Sequence, residues 1–220
     1  MKKVILILSA VVMTAMMLSF SISKSSTLNK KDALKEVIIG TQVWMKENLN
    51  VDKFRNGDSI PEAKTEKEWQ EAATNGQPAW CYYDNDTANG AKYGKLYNWY
   101  AVNDPRGLAP KGWKIPTDQE WTVLTDYLGG KSLAGKKMKS TSGWAKSGNG
   151  TNESGFSGLP GGYRDFDGTF YYIGYVAYWW CSTEDAIYGA WYRNLNYVNG
   201  YVNSDFKSKE RGLSVRCLRD

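Results

Sequence analysis

GWKIPTDQEWTVLTDYLGG, from Gly112 to Gly130, carries a helix start, a helix face and a helix stop in consecutive residues. Pro116 precedes Thr117, and Thr117 and Glu120 have the spacing of a capping box, whose side chains satisfy backbone N–H groups that a first helical turn leaves free. Trp121, Leu124 and Leu128 follow at helical spacing, and Gly129-Gly130 ends the pattern.

The same logic extends outward. Thr65-Glu66-Lys67-Glu68 repeats the capping box and predicts a helix through Ala73, and Lys131 to Lys139 (KSLAGKKMK) predicts a short helix behind the first. Val37 to Met45 (VIIGTQVWM) is rich in β-branched residues and reads as a strand, with a turn at Asn56-Gly57-Asp58. Leu96 to Val102 suits a helix by spacing and a strand by residue type. After Gly143 the chain turns to Gly, Asn, Ser and Tyr. Strands are expected at Tyr163 to Asp167, Thr169 to Ile173, Tyr178 to Thr183, Ala190 to Tyr197 and Leu213 to Leu218, with turns at Asp167-Gly168 and Asn199-Gly200. Helices before strands imply α+β rather than alternating α/β.

Residues 1–23 read as a signal peptide: Lys2 and Lys3 precede an apolar run from Val4 to Leu18, and cleavage after Ser21 or Ser23 fits a small-x-small site. An uncleaved anchor is the other reading, although the run is short for a membrane span. No cysteine lies nearby to carry a lipid, so periplasmic, extracellular or cell-surface delivery without a membrane span is expected. A polar leader covers 24–36 and one domain covers 37–220, because about 197 residues remain and Trp and Tyr are spread evenly through them. Losing Lys2 and Lys3 takes the net charge from +5 to +3, too little and too scattered to argue for nucleic acid. Lys131 to Lys139 reads as a solvated face rather than an anion site.

The chain has no histidine, which removes Ser-His-Asp hydrolysis, Cys-His chemistry and His-based metal sites. Paired carboxylates, a lone Cys or Lys, or a bound cofactor are what remain for an enzyme. Cys81, Cys181 and Cys217 allow three pairings with one thiol left over; three buried thiols are the other reading.

IGTQVWMKENLNV (Ile39 to Val51), CYYDNDTANGAKYGKLYNWYAV (Cys81 to Val102), GWKIPTDQEW (Gly112 to Trp121), NESGFSGLPGGYRDFDGTF (Asn152 to Phe170), WWCSTE (Trp179 to Glu184) and GLSVRCLRD (Gly212 to Asp220) together resemble the Fibrobacter succinogenes major paralogous domain. That family looks like a distant relative of formylglycine-generating enzymes and C-type lectin-like folds. The resemblance implies two helices packed on twisted, loop-rich antiparallel strands, with the N- and C-terminal strands brought together. The family has no settled activity, and its occurrence in secreted and surface proteins suggests a polysaccharide or a cell-surface protein as partner by association only. Members often carry a Cys where this chain has Ala109, and some where it has Gly90, so those bridges are lost here. Formylglycine generation, which uses two nearby cysteines to hold copper, does not carry over to Cys181 and Cys217.

Two acidic turns are candidate calcium sites: Asp84-Asn85-Asp86 with Asn89, and Asp165 with Asp167 before Gly168. Local backbone bonding is the plainer reading of both. No other cofactor is expected. Late aromatics are the stronger pointer. Tyr171, Tyr172, Tyr175, Tyr178, Trp179 and Trp180 precede Trp191, Tyr192, Tyr197 and Tyr201, and strand alternation sends about half of such a set outward. Tyr175, Trp191, Tyr192, Asn194, Asn196, Tyr197 and Tyr201 are the candidate ligand-binding residues, with Tyr, Asn and Gly supplying adaptable recognition. The expected function is a secreted or surface non-catalytic binding module for a glycan or surface protein. A His-free hydrolase drawing its carboxylates from Asp165, Asp167 and Glu184, and a structural envelope protein, are the rivals.

Overall fold

The computed structural model describes residues 35–187 and 189–220. The signal-peptide reading of 1–23 and all of the leader except Lys35 and Glu36 lie outside these residues, and Glu36 already belongs to a strand.

The stretch from Val37 to Met45, expected as one strand, is a hairpin. β1 (Glu36–Ile39) pairs antiparallel with β2 (Gln42–Met45), and Gly40 at φ +62° supplies the left-handed first position of a two-residue turn. Both capping boxes form: Thr65 opens α1 (Glu66–Thr74) and Thr117 opens α4 (Asp118–Tyr127), each reciprocated by a glutamate three residues on. The ambiguous stretch at Leu96 divides. β3 (Trp80–Cys81) pairs with β4 (Leu96–Tyr97), and the Asn98 side chain then caps the single turn α3 (Trp99–Val102). With α2 (Thr87–Tyr93) and α5 (Lys131–Met138) the described residues hold five helices rather than two.

β11 (Leu218–Arg219) sits between β2 and β5 (Trp113–Lys114), so the N-terminal hairpin and the last strand meet at Trp44 and Leu218. The larger sheet runs β10 (Asn203–Ser208), β9 (Gly189–Asn196), β8 (Val176–Ala186), β6 (Gly161–Arg164), β7 (Phe170–Ile173), antiparallel except where Gly162 of β6 pairs parallel with Ala177 of β8. The fold is α+β. The strand expected over Leu213 to Leu218 is mostly single bridges at Gly212, Leu213 and Ser214, so pairing is regular only from Leu218.

Alternation along β8 and β9 feeds two cores. Ala177, Trp179, Cys181 and Leu195 join Trp44, Trp121 and Phe156 on one side, while Trp180 and Tyr192 join Trp80, Trp99 and Trp113 on the other. Trp44 and Trp121 lie 4.7 Å apart by ring centroid, and Phe156 meets Trp179 edge-on at 5.5 Å. Each large ring so buried contributes roughly 1.5–3 kcal/mol. Arg193, buried on β9, pairs with Asp118 and donates to Thr122 at 3.0 Å, which fastens α4 to the sheet. Among the described residues no helix is long and apolar enough to cross a membrane.

Candidate functional site

The β6–β7 hairpin contains a residue that its amino-acid type does not favour: Tyr172 has φ +64°. A bulky side chain in the left-handed region is a genuine outlier, and such strain costs about 1–3 kcal/mol. Gly162, on the partner strand, has φ +66°, and a Cβ there would come within 2.4 Å of the Tyr171 carbonyl oxygen and 2.7 Å of the Ile173 nitrogen. Only glycine fits against this bulge.

The distortion has a consequence for side chains. Regular alternation would send Tyr171 and Tyr172 to opposite faces, but their ring centroids lie 6.0 Å apart, and both approach Tyr163, at 5.6 and 6.1 Å. Tyr163 meets Tyr178 at 5.2 Å, and Tyr178 meets Tyr192 at 5.3 Å. Five tyrosine rings thus form one continuous array, exposed at Tyr171 and Tyr172 and buried at Tyr192.

Lys207 of β10 occupies its middle. Its register partner is Ala190, whose small side chain leaves room, and its Nζ lies 5.3 to 5.5 Å from the rings of Tyr163, Tyr178 and Tyr192. These are cation–π distances. Arg211 stands over Tyr163 and ion-pairs with Asp165 at 2.9 Å. Burial pushes the phenols of Tyr163, Tyr178 and Tyr192 up to about 12, so all three are neutral hydroxyls at ordinary pH. Burial, then Arg211, lowers the Lys207 ammonium.

The residues expected to bind ligand do not form one surface. Tyr192 and Asn194 are buried: Tyr192 belongs to the first core, and their register partners on β8 are Trp180 and Tyr178. Trp191 is partly buried against the second core with Phe206 beside it. Asn196 accepts from the backbone of Val198 and Asn199, so it shapes a turn. Tyr175 and Tyr197 meet edge-on at 5.3 Å, and Tyr201 is exposed. Lys207 carried no signal in the sequence. The Gly161-Gly162 pair before Tyr163 is the feature that could have marked the bulge.

The acidic turns have local duties. Asp86 caps α2 by accepting from Ala88, Asn85 donates to the Lys64 carbonyl oxygen, and Asn89 donates to that of Tyr83. Asp167 accepts from Thr169, and Asp165 from Phe166. Asp84 and Asn85 are themselves left-handed, as Asx residues in turns readily are. Among the described residues no three acids, cysteines or histidines converge as a metal site. Asp165 pairs with Arg211 and Glu184 with Lys209, so these two acids serve different cations. All three cysteines are free and buried, one in each of three core clusters. Burial pushes Cys81 and Cys217 up to about 12 and Cys181 further, which makes them inert thiols.

A family model described as the Fibrobacter succinogenes major domain matches residues 37–219. The chain belongs to that family. The major-domain match spans the terminal β2–β11 pairing, both capped helices and the tyrosine array, so the platform lies wholly within the family's domain. No curated protein and no solved structure matches the chain.

Proposed function

We propose that this major-domain protein is a secreted or surface-displayed, non-catalytic binding module, and that the tyrosine array around Lys207 holds a carbohydrate. The left-handed Tyr172 carries this reading. Strain in a folded protein persists where its surroundings enforce it and clusters at binding sites, and here its effect is to set two exposed rings side by side. Ring faces suit the C–H surface of a sugar, while neutral phenols and a partly dehydrated ammonium suit its hydroxyls. Export rests on the charged start and apolar run of the first residues. The paired terminal strands and the loop-rich antiparallel sheet support a kinship with lectin-like folds.

A glycan array followed by polysaccharide pull-down tests the reading. The protein is expected to retain at least one glycan, and Tyr171→Ala to weaken retention about tenfold at unchanged melting temperature. A blank panel, or undiminished retention by Tyr171→Ala, overturns it.

A further inference from the structure

A cavity of about 430 Å³ opens where the chain after β2, the end of α2 and Arg216 meet, with Lys46, Asn48, Asn50, Lys92, Ser157 and Arg216 in its lining. That size falls within the range of small-ligand pockets, about 300–1,000 Å³. The lining is built rather than incidental. Arg216 is 1% exposed. Its Nε and Nη2 donate to Asn48 Oδ1 at 3.0 and 2.8 Å, and its Nη1 donates to the carbonyl oxygens of Met45 and Phe156 at 3.1 and 2.6 Å. A guanidinium has five N–H donors, so one on Nη2 is left without an acceptor among the described residues. No carboxylate among them ion-pairs with it either.

A buried cation with no carboxylate bonded to it, Glu47 acting only at longer range, is a costly arrangement. Burial pushes Arg216 down to about 9. Lys95, Lys139 and Arg164 are also buried without a carboxylate, but they are held by carbonyl oxygens, an amide, a phenol and aromatic rings and do not line this cavity. Lys46 and Lys92 add charge at the cavity, whereas Lys35 is bonded to Glu47 at 2.7 Å.

Another part of the lining has the other polarity. Gly90, Ala91 and Gly94 bring the carbonyl end of α2 to the cavity; Asn48 and Asn50 donate to the Tyr93 and Gly90 carbonyl oxygens, and that end of a helix repels anions and accepts hydrogen bonds. With Glu47 at the same cavity, a doubly charged phosphate is disfavoured relative to a single carboxylate that brings hydroxyl donors with it.

We propose that this cavity binds a polyhydroxylated monocarboxylate of the uronic-acid class, its carboxylate toward Arg216, Lys46 and Lys92 and its hydroxyls toward the carbonyl end of α2. The site is separate from the tyrosine array and does not depend on it. Calorimetric titration of the purified protein with galacturonate, galactose and inorganic phosphate tests it. Galacturonate is expected to bind at one site at least about tenfold more tightly than either competitor, and Lys46→Gln and Lys92→Gln each to weaken it about tenfold. Both lysines reach solvent, so these variants leave the buried Arg216 network in place. Tyr171→Ala leaves galacturonate binding unchanged. Equal binding of galactose, tighter binding of phosphate, no heat with galacturonate, or unchanged affinity in the double lysine variant overturns the proposal.

Discussion

Tyr172 is left-handed at φ +64°. Asparagine tolerates a left-handed backbone that tyrosine resists, and the Tyr172 ring is 55% exposed, so little burial is lost with it. Tyr172→Asn is therefore expected to leave the urea midpoint unchanged or raise stability by up to about 1 kcal/mol. A loss larger than that would show that the ring, not the backbone, dominates. Arg164 presents the reverse case. It is 1% exposed and donates to the carbonyl oxygens of Gly168, Ala63 and Thr65 at 2.9, 2.7 and 3.0 Å, between the rings of Trp69 and Phe170. Arg164→Met strands those acceptors, and chemical denaturation should register a loss of about 3 kcal/mol or more. No residue-level pattern in the sequence marks Arg164 as buried, because two of its three partners are main-chain oxygens of the distant Ala63 and Thr65.

Elements were legible in proportion to how local their causes are. The two capping boxes are closed by contacts three residues apart, and both helices begin where Thr65 and Thr117 put them. Thr117→Ala should cost about 1 kcal/mol in thermal or urea unfolding; an unchanged midpoint would mean that the Asp118–Arg193 pair alone fixes the start of α4. NSDFKS, the sequence of β10, is polar and carries no alternating apolar signal. β10 is one of the two edge strands of its sheet, where charged residues deter pairing with other chains. The hairpin at Gly40 was hidden inside a continuous β-branched run, and the bridges at Gly212 to Ser214 depend on partners as remote as Tyr97, Arg164 and Trp179. The tyrosine array was half legible: the rings could be counted, but which of them turn outward depended on the Tyr172 bulge and on the β8–β9 register.

Across the whole molecule, burial sets the response to alkali. Tyr163, Tyr178 and Tyr192 are pushed from the ordinary value near 10 up to about 12, so the folded state keeps protons that the unfolded state releases. Their contribution to stability is complete below pH about 10 and is lost as the pH rises toward about 12. A tyrosinate absorbance titration should accordingly show these phenols ionising late and together with unfolding; ionisation near the ordinary value in the folded protein would contradict the burial on which the array rests. On the function proposed above, backbone strain at Tyr172 is maintained because it assembles a carbohydrate-binding surface. The most direct test is the affinity of Tyr172→Asn for the glycan that the unaltered protein retains, measured beside its stability. An affinity about tenfold weaker in a protein at least as stable is expected; an unaltered affinity would rule out a role for the strained tyrosine in binding.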